Sequence, residues 1–152
     1  MLLLSIHPQY VASILAGLKT VEIRRQRPTR PVEDLVIYAT LPQGMLLACA
    51  KVVEIVSADA ETIWQRFGKG TCLNLENFTK YLEGADAPTA LVLGEVTPLQ
   101  GAMTLDALRE LWPGFHPPQG YRYLSPPQID QVLKSQSGTK RLQQLPKIAP
   151  RR

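Results

Sequence analysis

The chain has little that could hold a metal or a disulfide framework. Among 152 residues there are two cysteines and two histidines. Cys49 and Cys72 are distant and form no CxxC, and His7 and His116 stand alone. No spacing reads as a zinc site, so no metal is expected, and no cofactor is implied. Two buried thiols in a reducing compartment are the simplest reading of the cysteines. Long apolar runs are also missing. The stretch from Met45 to Val56 is interrupted by Lys51 and Glu54, so it cannot span a membrane. "MLLLS" is too short for a signal peptide and lacks its basic flank. The chain therefore reads as cytoplasmic. Acidic residues are absent from Lys134 onward, where Lys134, Lys140, Arg141, Lys147, Arg151 and Arg152 meet no carboxylate.

What is present fits one domain. A hydrophobic fraction of 45% and a charged fraction of 20% sit near globular averages and exclude disorder throughout. Thirteen prolines argue for short elements and many turns, hence a β-containing fold. The net charge of +4 is modest, but it is clustered. One cluster is Arg24, Arg25, Arg27 and Arg30; the other is the C-terminal stretch. Clustered positive charge favours an anionic partner, and nucleic acid is the usual one. For the C-terminal stretch, a solubilising tail explains the charge equally well.

The pattern predicts strands and helices in turn. "LLLSI" is a buried strand, and "HPQYVASILAG" a helix with Tyr10, Val11, Ile14 and Leu15 on one stripe, closed by Gly17. "TVEIR", "DLVIYAT", "MLLACAKVVEIVSA" (bulged near Ala50) and "TALVLGEVTPL" are strands, and "GYRYL" is a short last one. Gly94 predicts a bulge or a close approach. Helices start at Asp59, Asn74 and Thr104, and Ser125 with Gln128 forms a capping box for a final one. The expected division is a domain over residues 1–137 and a basic, mobile tail over 138–152. Strands grouped with helices, without regular alternation, predict an α+β fold: a small mixed β-barrel with peripheral helices.

Two motifs invite chemistry. "FGKGT" looks like the end of a phosphate loop, but Ile63 stands where the first glycine belongs and Gly70 where Ser or Thr belongs. It reads as a turn between helices. "GLKTVEIRR" is the better candidate. Side chains alternate along a strand, so Val21 and Ile23 face the barrel while Thr20, Glu22 and Arg24 face a shared depression outside it. Lys19 sits at the turn and can fold over that row. From spacing alone the simpler reading is a solvated face with one ion pair.

"GLKTVEIRR" carries the G-x-K-x-x-E-x-R pattern of the ASCH domain, a branch of the PUA-like barrels, and the chain resembles that family. "LSIHPQYVASILAGLKTVEIRRQRP" resembles its strand–helix–strand opening. "VIYAT", "AKVVEIV" and "ALVLGEV" resemble later strands, and "PPQGYRYL" a closing segment. The resemblance implies a β-barrel of five or six strands and a cleft lined by Lys19, Glu22 and Arg24. It implies a link to RNA or modified nucleosides. Relatives that hydrolyse acetylated cytidine are similar at Gly17, Lys19 and Arg24 but carry threonine where this chain has Glu22, which sets it apart from their nucleophile-type mechanism. Their second carboxylate would fall at Glu76 or Glu95.

Three uses of the cleft follow. As a binding site for RNA or a nucleotide-like ligand, Lys19, Arg24, Arg25 and Arg27 would hold phosphate. Tyr38, Tyr121 or Tyr123 would stack a base, with Arg122 beside them. DNA is the alternative polymer. As a ribonuclease or an acylated-nucleoside hydrolase, Glu22 would be a general base beside Lys19. As an interaction module, the basic patch would only steer partners. A ligand-sized pocket around Lys19 and Glu22 would favour the enzyme; an open basic groove continuing to Arg30 would favour polymer binding.

Overall fold

The computed structural model describes residues 1–142, with side chains described to residue 136. Its frame is one six-stranded mixed sheet, curled into a half-barrel. The strands are β1 (Leu2–Ile6), β2 (Val21–Arg24), β3 (Asp34–Ala39), β4 (Met45–Ser57), β5 (Thr89–Thr104) and β6 (Tyr121–Tyr123), in the spatial order β2-β5-β4-β3-β1-β6. Among the described residues only β1 and β3 pair in parallel. The helices are α1 (Pro8–Leu15), α2 (Ala60–Phe67), α3 (Leu75–Leu82), α4 (Leu105–Leu111) and α5 (Pro126–Leu142).

The curl comes from β4 and β5, which are long and pair out of strict register. Their pairing shifts at Leu46/Ala48, Ala50/Val52 and Val52/Glu54. Each irregularity bends the ribbon and adds twist. Gly94 lies in the bent region because a Cβ there would meet Val53 Cγ1 at 2.7 Å. β5 runs on to Thr104, beyond the expected end near Leu99, and leads directly into α4.

Three apolar clusters use the two faces of the sheet. Leu2, Leu4, Leu35, Ile37 and Leu91 pack with Val11 and Ile14 of α1. Leu3, Val36 and Leu46 pack on the opposite face with Leu108 and Val132 of α4 and α5. Val21 and Ile23 join Ile63, Phe78 and Leu82, under α2 and α3. The side chains expected at the barrel interior thus seal its outer wall instead. Period two tells which residues share a face, not which face meets which helix.

Caps formed as read: Asp59, Asn74 and Thr104 each accept from a first-turn N–H, and Ser125 and Gln128 bond reciprocally. Three expectations differ. Leu15 is 43% exposed, because α1 ends at it and the turn that follows lies on the surface. Cys72 is exposed in a turn, so only Cys49 is a buried thiol, and burial pushes its pKa up to about 11. The backbone of α5 stays helical to Leu142, past residue 137, after which a mobile tail was expected. The remainder of the basic tail lies outside the described residues.

Candidate functional site

The site begins with how the chain leaves α1. Gly17 adopts φ +76°, a conformation open to glycine, and turns the chain back. The Leu18 and Lys19 N–H groups then both bond the Ser13 carbonyl. Thr20 is fixed from two sides: its N–H bonds Gly70 O at 2.9 Å, and its carbonyl accepts from Leu93 N at 2.8 Å. β2 therefore starts in a set register, paired with β5 so that Glu22 lies opposite Leu91.

That register puts Glu22 and Arg24 on the inner face, where both are at least nine-tenths buried. Lys19 is 4% exposed. Its ammonium lies 2.6 Å from the Thr71 carbonyl, 3.4 Å from Glu22 Oε2 and 5.3 Å from the Tyr10 ring centroid. Arg24 Nη2 stands 3.1 Å from Glu22 Oε1 and also donates to Ser5 O at 3.0 Å, while Nη1 donates to Gly120 O at 3.3 Å. β2 is one edge of the sheet and β6 the other. Arg24 thus fastens the open seam of the half-barrel by holding carbonyls of β1 and of the segment before β6. Two cations against one carboxylate leave one positive charge in excess, in a setting that screens charge poorly.

A cavity of about 900 Å³ opens on these side chains. That size suits a nucleotide-sized ligand. Ser5, Ile6 and His7 line it at the end of β1, Tyr10 on α1, and Leu73, Asn77 and Tyr81 on and just before α3. Pro117, Pro118 and Gln119 line it ahead of β6. Partial burial raises the Tyr81 hydroxyl pKa above the usual phenol value; Arg24 opposes the rise and Glu22 adds to it. Burial likewise raises that of Tyr38, against the opposing pull of Arg109. Both tyrosines stay protonated donors at neutral pH. Arg24 Nε and Thr40 Oγ1, from two lining residues, are buried without a hydrogen-bond partner among the described residues. Such orphans are uncommon in a packed interior.

Of the residues named from sequence, Lys19, Glu22, Arg24 and Tyr38 come together around this cavity. The others lie elsewhere. Thr20 is exposed and outside the lining. Arg25 donates to Tyr81 O and Glu83 O, closing the C-terminal end of α3. Arg27 donates to Ser57 Oγ at 3.1 Å and to Ile55 O at 3.5 Å. Tyr121 packs edge-on against Tyr123, and Arg122 lies over the Phe115 ring. Glu76 and Glu95 do not line the cavity. Sequence reading missed Tyr10, Asn77, Tyr81 and the Thr71 carbonyl. The signal for the last was present in "FGKGT". Its Gly68–Gly70 is a 3₁₀ turn whose following carbonyl holds Lys19, and a Cβ at Gly70 would meet Thr20 Oγ1 at 2.6 Å.

Comparison with known proteins agrees with this architecture. Residues 4–100 match the model of the ASCH domain. A protein of Zymomonas mobilis subsp. mobilis named ASCH domain-containing ribonuclease is 34% identical over 122 residues, covering 80% of this chain and 82% of that protein. The crystal structure of a serine-to-alanine mutant of an ASCH protein from Zymomonas mobilis superposes with a TM-score of 0.82 at 30% identity, covering 88% of this chain and 94% of the other. The N-terminal domain of Staphylothermus marinus McrB shares the fold at a TM-score of 0.52 and 8% identity, covering 88% of this chain and 92% of that domain.

Proposed function

This chain belongs to the ASCH domain family, and on that premise we propose that it is a ribonuclease which takes one nucleotide of a single-stranded RNA into the cavity above Glu22. The observation that carries the reading is the ligand-sized cavity over the Lys19–Glu22–Arg24 group. An open groove would bind a polymer without selecting a point on it. A cavity places one phosphate beside one carboxylate. The similarity to a protein named as a ribonuclease supports the same reading.

The chemistry is internal transesterification. Glu22 takes the proton of a 2′-hydroxyl, the 2′-oxygen attacks the adjacent phosphorus to form a 2′,3′-cyclic phosphate, and the P–O5′ bond breaks, the leaving 5′-oxygen taking a proton from solvent water. Lys19 and Arg24 offset the charge that builds on the phosphate oxygens. An arriving phosphate competes with Glu22 for those same two cations, which frees the carboxylate to act. The Tyr38 hydroxyl donates to the bound group.

A second reading is binding without cleavage. One observation favours it: each Glu22 oxygen faces a cation, so the carboxylate can serve only to orient Arg24. One assay separates the two. Wild type and Glu22→Gln are incubated with short RNAs and with acetylated cytidine, and products are read by mass. The ribonuclease reading expects cleavage by wild type and a loss of about 10²–10⁴ in rate for Glu22→Gln, with RNA binding largely kept. Equal turnover by both proteins removes Glu22 as the base. RNA binding with no product from either leaves the binding module. Product from acetylated cytidine alone moves the substrate to a modified nucleoside.

A further inference from the structure

The rest of the arginine run is built into a second arrangement, away from the cavity. Tyr123 of β6 holds the backbone at Arg30: its hydroxyl accepts from Arg30 N–H at 2.9 Å and donates to Arg30 O at 3.1 Å. The same ring carries the Arg30 guanidinium on its face, 3.7 Å from the centroid. Tyr121 braces Tyr123 edge-on, with centroids 5.7 Å apart. Arg30 is therefore fixed at backbone and side chain by a strand 93 positions away. It is nevertheless exposed. The ring covers one face of the guanidinium and leaves the other open.

Solubility alone does not need this. Ordering a long cation costs side-chain entropy, and a solvated arginine would stay mobile. Charge pairing does not explain it either. Among the described residues neither Arg27 nor Arg30 has an ion pair. Both line a second cavity, of about 470 Å³. The carboxylate in its lining, Glu54, is held by Arg66 at 2.6 Å. A flat cation with one open face, next to a depression carrying a second guanidinium, suits an aromatic ring joined to a phosphate.

We propose that Arg30, seated on Tyr123, is a second contact for single-stranded RNA: a base lies on the open guanidinium face and the neighbouring phosphate meets Arg27. The proposal rests on the RNA reading of the cavity. The two places are linked through one short segment. Gln119 lines the cavity, Gly120 O accepts from Arg24, and Tyr123 carries Arg30. Four residues of extended chain reach at most about 13 Å, so one strand of RNA can occupy both. The cavity selects the nucleotide to be cut, and the platform holds the strand that leads from it.

The test uses the full chain and 2′-O-methyl RNA, which lacks the attacking hydroxyl. Affinities for a ten-nucleotide strand and for a dinucleotide are measured by fluorescence anisotropy at two salt concentrations. Arg30→Gln should weaken the long strand about tenfold or more and leave the dinucleotide unchanged, since a stacked base contributes on that scale. Arg27→Gln, which removes the phosphate contact, should lower the salt slope by about one. Arg30→Lys keeps the charge and loses the planar stack, so it should keep the salt slope yet still weaken the long strand. Long-strand affinity equal to wild type in both Arg30 variants overturns the platform while leaving the cavity reading intact. Full recovery by Arg30→Lys overturns the stacking. Wild type that binds no RNA overturns both readings together.

Discussion

Glu54 and Arg66 meet at 2.6 Å on the surface, while Glu22 and Arg24 stand 3.1 Å apart in the wall of the cavity. Distance alone would rank the first pair higher. Environment reverses the order. The outer side chains are 44% and 54% exposed, so water and salt screen them and free rotation competes with the contact. Pairs of that kind contribute about 0–1 kcal/mol. The inner side chains are 10% and 11% exposed. They have lost most of their water, and each needs its partner. Forming such a group gains little net stability, but breaking it costs about 3–5 kcal/mol. The buried group is therefore a poor device for stability and a good one for holding charge in one place. That is the use a binding cavity has for it.

The largest expected effect tests this directly. Glu22→Ala leaves Lys19 and Arg24 facing each other without a carboxylate, and should destabilise the fold by about 3–5 kcal/mol in urea unfolding. Glu22→Gln should cost clearly less, because the amide oxygen still accepts from one cation. A loss below about 1 kcal/mol for Glu22→Ala would mean that water reaches the group and that the contrast with Glu54 is false. A smaller loss is expected at Gly70. There a Cβ would meet Thr20 Oγ1 at 2.6 Å and Val21 Cγ2 at 2.9 Å, and both belong to the segment that positions Lys19. Gly70→Ala should cost about 1–3 kcal/mol by overpacking. It should also weaken RNA binding, because the turn that offers Thr71 O must shift. Unchanged stability and binding would detach the turn from the site.

The same contrast explains what could be read in advance. Alternation along "TVEIR" separated Val21 and Ile23 from Glu22 and Arg24, and the structure keeps that separation. Caps at Asp59, Asn74, Thr104 and Ser125 were legible because capping is local. What lies across each face was not legible. The helices that cover Val21 and Ile23 begin at Ala60 and Leu75, far along the chain, and alternation carries no information about them. Lys19 finds a backbone carbonyl 52 positions away. A carbonyl belongs to every residue type, so no motif marks it. The four arginines looked like one feature because they are adjacent in sequence. Each strand residue points opposite to the next, and beyond Arg24 the strand ends. Arg24 enters the cavity, Arg25 closes a helix, and Arg27 and Arg30 turn to another depression.

The smallest expected effect sharpens the opening comparison most. A double-mutant cycle on Glu54→Ala and Arg66→Ala should give a coupling of about 0–1 kcal/mol in low salt. In 1 M salt the Debye length falls to about 3 Å, so that coupling should all but vanish. The stability cost of Glu22→Ala should change less between the two salt concentrations, because the Glu22 side chain is 10% exposed against 44% for Glu54. The measurement is urea unfolding of wild type, both single variants, the double variant and Glu22→Ala, each in low and high salt. A surface coupling above about 2 kcal/mol, or one that persists in 1 M salt, would make the 2.6 Å contact a structural anchor. Short distance would then have outweighed exposure, and the inner pair would lose its distinction.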